Sequence, residues 1–227
     1  MLLLIFLLPG VKPQAKSSGP AVSSSAQASS ASELDARMAD ARKQNSDVVA
    51  WLTIPGTDVD DPVVQAADND YYLRRTWLGE SDVWGCYFLD YECNIREKAS
   101  LDKVSIIYGH SLEDSKDDKN FSQIKRWEDA EFAAQNPTFT LRLTDGTLTT
   151  WQVFAASKVP VEGENAVYYL DPNPDEAAYS ALLDTLRAAS AKNFDSVEVS
   201  AQDKILILST CTSDDIVRFV LCAKLVG

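Results

Sequence analysis

Apolar residues fall along the chain in short runs broken by polar turns. That pattern predicts strands with helices set between them, not a regular strand–helix alternation. Residues 33–43 begin acidic, end basic and follow Ser32, an N-cap residue, so a helix is predicted there. Residues 47–54 read as a short helix or the beginning of a strand, closed by the turn Pro55-Gly56. A strand is predicted over 59–65, a helical turn over 69–75 and an aromatic-rich strand over 85–90. Residues 104–108 form a strongly apolar strand ended by Gly109. Helical segments follow over 121–127 and 128–135, the second stopped by Asn136-Pro137. Strands over 138–143 and 147–157 flank Thr144-Asp145-Gly146, a hairpin signal. An Ala/Leu helix is predicted over 175–189, and the last strands over 205–210 and 217–226. The expected fold class is mainly β: a mostly antiparallel, barrel-like sheet decorated with helices. No Gly-rich loop follows a strand with phosphate-binding spacing, which argues against a nucleotide fold.

The N-terminal stretch carries different information. Leu2 to Leu8 is an unbroken apolar run, yet seven helical residues span only about 10 Å of a roughly 30 Å bilayer core. It reads as the end of a membrane anchor, as a short signal-peptide core or as an extraneous leader. The first reading is preferred because residues 14–32 are rich in Ser and Ala and poor in large apolar side chains, as a flexible tether is. The chain therefore divides into an apolar segment over 1–13, a linker over 14–32 and a folded domain over 33–227. That layout suits a protein held at the cell membrane with an extracytoplasmic domain.

Of the 227 residues, 45% are apolar, enough for a folded core. The net charge of −13 argues against nucleic acid as a partner and against lying flat on anionic lipid. Acidity favours solubility, and secondarily a cationic partner such as an amine. The four cysteines, Cys86, Cys93, Cys211 and Cys222, are too few for a disulfide scaffold in a domain of this size, although Cys86 and Cys93 are close enough to pair. With no Cys-x-x-Cys and a single histidine, no metal site is expected.

Three positions carry candidate chemistry. The strand over 104–108 delivers the sole histidine, His110, to a polar loop, where an imidazole can exchange protons near neutral pH. Cys211 ends the apolar run Ile205-Leu206-Ile207-Leu208 and precedes Thr212, Ser213, Asp214 and Asp215, so it is both held and exposed. Cys86 and Cys222 sit within apolar strands and read as buried inert thiols. Arg218 opens the final strand seven residues after Cys211. A hairpin would return it beside Cys211 as a fixed positive charge for an oxyanion. Singly, each also reads as a capping histidine, a structural thiol or a solvated edge charge. Together they form a coherent acyl-transfer set.

Tyr108-Gly109-His110, Leu208-Ser209-Thr210-Cys211 and Arg218-Phe219-Val220, in that order, resemble the catalytic signature of sortases. The resemblance runs from about residue 45 to the C-terminus. Trp51 to Thr57 resembles the family's first-strand segment. Asp68 to Leu73, Phe88 to Tyr91, Phe121-Ser122 and the stretch Glu131 to Pro137 resemble class B sortases in particular. The helical N-terminus and the 175–189 helix, placed before the cysteine strand, match that class too.

The resemblance implies a closed eight-stranded β-barrel and a cysteine transpeptidase that needs no cofactor. Cys211 would attack a Thr carbonyl in the C-terminal sorting motif of a surface protein, forming a thioester acyl-enzyme. Arg218 would stabilise the oxyanion, and His110 would move the proton. An amine of a peptidoglycan precursor or a pilin lysine would then take the acyl group. By the same resemblance Asn69, Leu73 and Ser209 line the substrate groove, and Tyr169 and Leu170 join them from the loop before the 175–189 helix. Ser111 stands where the family often has Asn, which bears on substrate inference more than on mechanism. The rivals are a surface cysteine peptidase that only hydrolyses and a non-catalytic adhesion domain. Papain-like enzymes place Cys before His, and the caspase Gln-Ala-Cys is absent, so neither peptidase pattern fits.

Overall fold

The computed structural model describes residues 24–111, 119–214 and 216–227. The apolar segment over 1–13 and the beginning of the expected linker lie outside the described residues. Eight strands form: β1 (Val48–Thr53), β2 (Asp60–Val64), β3 (Tyr87–Leu89), β4 (Val104–Tyr108), β5 (Thr138–Leu143), β6 (Leu148–Pro160), β7 (Ile205–Cys211) and β8 (Val217–Leu225). They close into a barrel in the order β1-β2-β3-β4-β7-β8-β6-β5. Most neighbours are antiparallel, but β2 with β3 and β4 with β7 run parallel. A parallel pair needs a long crossover. The chain between β4 and β7 supplies one, carrying β5, β6, α2 (Ala130–Gln135) and α3 (Glu176–Ala188).

Every residue of β1 and β4 except the last of each is buried, as is every residue of β7 except Cys211. Their sequences therefore read as apolar runs rather than alternations. The barrel interior holds one core that includes Leu52, Ile106, Trp151 and Phe219. A second core lies under α1 (Ser24–Gln44), where Met38 and Ala41 pack with Val48, Trp51, Val64, Tyr72 and Phe88. Arg37 fastens the same helix by bonding Asp60 and stacking over Trp51, and Arg142 bonds Asp35 at 2.6 Å.

Several expected elements differ in extent. The first helix starts at Ser24, so Ser32 is interior and not a cap; Ala and Ser continue a helix where only a tether was expected. Residues 48–53 settle as a strand because both edges find partners, β2 and β5. The 121–127 helix is a 3₁₀ helix, Asn120–Glu128, and α2 starts where Asp129 caps it by accepting the Phe132 N–H. The 69–75 turn is the 3₁₀ helix Tyr71–Arg74. β3 is shorter than predicted and Cys86 lies before it, not within a strand. All four cysteines are free thiols, so Cys86 and Cys93 do not pair.

Candidate active site

The ladder between β4 and β7 runs in constant register, from Val104 opposite Ile205 to Tyr108 opposite Ser209. Bonds beyond the strand ends extend it: Gly109 N–H donates to Ser209 O at 3.2 Å, and Thr210 Oγ1 donates to Gly109 O at 2.7 Å. Two further residues along, the same register sets His110 beside Cys211. On the other side of β7 the antiparallel ladder with β8 pairs Cys211 with Arg218. Paired residues of this kind carry Cβ atoms about 4.5–5.5 Å apart. Three side chains distant in sequence thus meet at one end of three adjacent strands. All three line a single open cleft of about 280 Å³ together with Asn69, Leu73 and Ser209.

The imidazole is held from behind. His110 Nε2 lies 2.5 Å from the Leu73 carbonyl oxygen. A carbonyl only accepts, so Nε2 carries the hydrogen and Nδ1 is left for proton exchange. Burial pushes the His110 pKa below its ordinary 6.5; the Leu73 bond opposes that shift and the Arg74 charge adds to it. Two glycines make the arrangement possible. Gly85 has φ 58°, and a Cβ there would meet Leu73 O at 2.8 Å and His110 Cδ2 at 3.1 Å. A Cβ on Gly109 would stand 2.6 Å from the ring of Phe121.

Behind the loop, Ser111 Oγ receives bonds from Ser122 Oγ and Lys125 Nζ, each at 2.9 Å. The departure from the family's Asn thus falls in a buried polar cluster beside the cleft.

Cys211 is half-buried at the strand end. The other thiols are poor nucleophiles, because burial pushes Cys86 and Cys93 up to about 12 and Cys222 higher still. Tyr169 does not line this cleft. It is 3% exposed, and its hydroxyl shares a hydrogen bond with Ser209 Oγ at 3.0 Å. Tyr169 and Leu170 line a second cavity of about 240 Å³ that shares Tyr108 and Arg218 with the first. Among the described residues no group of three or more His, Cys, Asp or Glu is placed to hold a metal. Sequence reasoning missed the Leu73 carbonyl, which no side chain signals, and quoted Tyr108 within the histidine motif without giving it a place in the cleft.

No protein-family model matches the chain. It is, however, 34% identical to the sortase B of Listeria monocytogenes over 200 residues, 86% of this chain and 76% of that protein. The chain belongs to the class B sortases. The sortase B of Staphylococcus aureus is 28% identical to it over 187 residues, 81% of this chain and 72% of that protein. A solved Staphylococcus aureus sortase B–substrate complex matches this sortase with a TM-score of 0.75 at 25% identity, covering 89% of this chain and 91% of that one. The expected closed, helix-decorated barrel is the fold found. The sortase is a cysteine transpeptidase, and neither a hydrolysis-only peptidase nor an adhesion domain is favoured. Among the described residues no helix is long and apolar enough to cross a membrane.

Proposed function

We propose that Cys211 is the nucleophile of this transpeptidase, His110 its proton carrier and Arg218 its oxyanion partner. The observation that carries this reading is the continuous β4–β7–β8 ladder, whose registers bring the three residues to one cleft. The Cys211 thiolate attacks the carbonyl carbon of a Thr in the sorting motif of a surface protein. The oxyanion that forms meets the Arg218 guanidinium, a planar and permanent cation. Collapse expels the amide nitrogen, which takes its proton from His110 Nδ1, leaving a thioester on Cys211. An incoming amine, on a peptidoglycan precursor or a pilin lysine, gives its proton to His110 as it attacks. A new amide forms as the carbon–sulfur bond breaks, and the Cys211 thiolate and the protonated His110 are restored. The peptide lies along Asn69, Leu73 and Ser209, with the Tyr169–Leu170 cavity beyond Arg218 extending the groove. The Staphylococcus aureus relative solved as a substrate complex supports a bound peptide of this kind. An apolar anchor over 1–13, and the Ser/Ala-rich stretch that follows it, hold the domain on the outer side of a membrane in this reading.

The test is acyl-enzyme trapping. A peptide library containing Thr is incubated with the protein, and the adduct is read by intact mass. The best peptide, made fluorogenic, is then assayed with and without an added amine. We expect a thioester on the wild type that an amine resolves to a new amide, and none on Cys211→Ala. Peptide cleavage by Cys211→Ala would remove the assignment. Cleavage by the wild type that amines never divert would leave a peptidase.

A further inference from the structure

Asn69 meets the cleft with an amide whose two ends are both held. Its Oδ1 accepts the Tyr91 N–H at 3.0 Å, and its Nδ2 donates to Asp90 Oδ2 at 2.8 Å. A flipped amide would set its oxygen against the carboxylate and its N–H against the Tyr91 N–H, so the orientation is determined. The side chain has four hydrogen-bonding directions: two lone pairs on oxygen and two hydrogens on nitrogen. One lone pair takes the Tyr91 N–H and one hydrogen goes to Asp90, so the amide keeps its second Nδ2 hydrogen and its second Oδ1 lone pair at the cleft wall.

Asp90 is itself immobile. It is 2% exposed and follows β3 directly. The same Oδ2 accepts the Tyr108 hydroxyl at 2.8 Å, while Oδ1 accepts the Glu92 N–H at 3.0 Å. Its main-chain N–H donates to Ile106 O at 2.9 Å, and its carbonyl accepts Gln65 Nε2 at 2.9 Å. One carboxylate oxygen thus ties together Asn69 and Tyr108, which both line the cleft with Cys211 but come from different elements.

We propose that Asp90 is the positioning residue of the substrate groove: by holding the Asn69 amide and the Tyr108 hydroxyl on one oxygen, it fixes the amide so that its second N–H donates to a carbonyl oxygen of the sorting peptide. The inference rests on the transpeptidase reading above and adds the polarity of one contact. An acceptor on the peptide is bound there by that N–H.

The test uses the fluorogenic peptide selected by acyl-enzyme trapping, with wild type and Cys211→Ala beside every variant. If the wild type forms no thioester, or Cys211→Ala cleaves, the transpeptidase reading itself fails and the variants are not at issue. With that reading intact, Asp90→Asn is expected to raise KM about tenfold while kcat stays within about twofold, the scale of one lost hydrogen bond. Asn69→Ala should do the same, and the double variant should be no worse than either single one. The exchanged pair Asn69→Asp with Asp90→Asn separates positioning from simple scaffolding. It restores a bond between the two side chains, with the relocated amide donating, but turns an acceptor toward the peptide. Its melting temperature should recover while its KM remains raised. A wild-type KM in Asn69→Ala or in the exchanged pair would overturn the proposal. Should Asp90→Asn fail to fold, those two variants decide it alone.

Discussion

At the scale of single residues, the chemistry divides between a fixed charge and a mobile proton. Arg218 lies opposite Cys211 and carries a planar guanidinium cation. Lysine in its place keeps the charge but loses the planar pair of donors, so Arg218→Lys should lower kcat/KM for the fluorogenic peptide by about 10²–10³. A rate within about threefold of wild type would show that charge alone suffices. His110 supplies the pH dependence. Burial holds its pKa below 6.5, the Leu73 bond opposing and Arg74 assisting. In the unfolded chain the imidazole titrates at about 6.5, so between the two values the unfolded chain binds a proton that the folded one does not. Stability from this source is whole well above about pH 6.5 and drains away as pH falls toward the folded pKa. The chain has only this histidine, so the comparison is clean. Between about pH 7.5 and 5 the melting temperature of the wild type should fall more than that of His110→Gln, measured by circular dichroism. Equal slopes would contradict the burial argument.

At the scale of elements, position follows from register. A slip of one residue between β4 and β7 would turn His110 away from Cys211, since side chains alternate faces along a strand. Close packing on both faces makes such a slip expensive, because Ile106 and Ile107 would each enter a space shaped for a neighbouring side chain. Gly109 is the joint between this ladder and the histidine. In Gly109→Ala the new methyl would press on the Phe121 ring, which stacks on Tyr87 at 4.7 Å between centroids and has no room to retreat. We expect a loss of about 1–3 kcal/mol in urea unfolding. A drop in kcat should accompany it, since His110 is displaced with its neighbour. Unchanged values for both would mean that the aromatic pair yields easily.

At the scale of the whole molecule, α1 belongs to the machinery although it touches none of the reacting groups. Met38 is 5% exposed in the core beneath it, a core that also contains Tyr72. Tyr72 adjoins Leu73, whose carbonyl holds His110, and its hydroxyl bonds Asp47 at 2.7 Å. Met38→Ala should cost about 2–4 kcal/mol of folding stability by chemical denaturation. A cost below about 0.5 kcal/mol would show α1 to be an appendage. The strong acidity of the chain is not drawn into the reaction cleft, where Arg218 is the permanent cation and Asp70 the acidic lining residue.

Much of this was legible in the chain. Apolar runs announced β4 and β7 because a buried strand must be apolar on both faces, and the polar turn after Cys211 marked it as the exposed thiol. The sole histidine, that thiol and Arg218 were named from the order of residues and a family resemblance. What the chain could not announce were relations across space. The parallel pairing of β4 with β7 joins segments that lie on either side of β5, β6 and α3, and the burial of Tyr169 under Ser209 depends on how a loop packs. The Asp90 contacts to Asn69 and Tyr108, and the Leu73 carbonyl behind the imidazole, arise only when the barrel closes. Local sequence encodes which segments bury and which bend, because those preferences act over a few residues. Which side chains then meet is decided by closure of the sheet, which satisfies every edge at once and leaves one register for each pair.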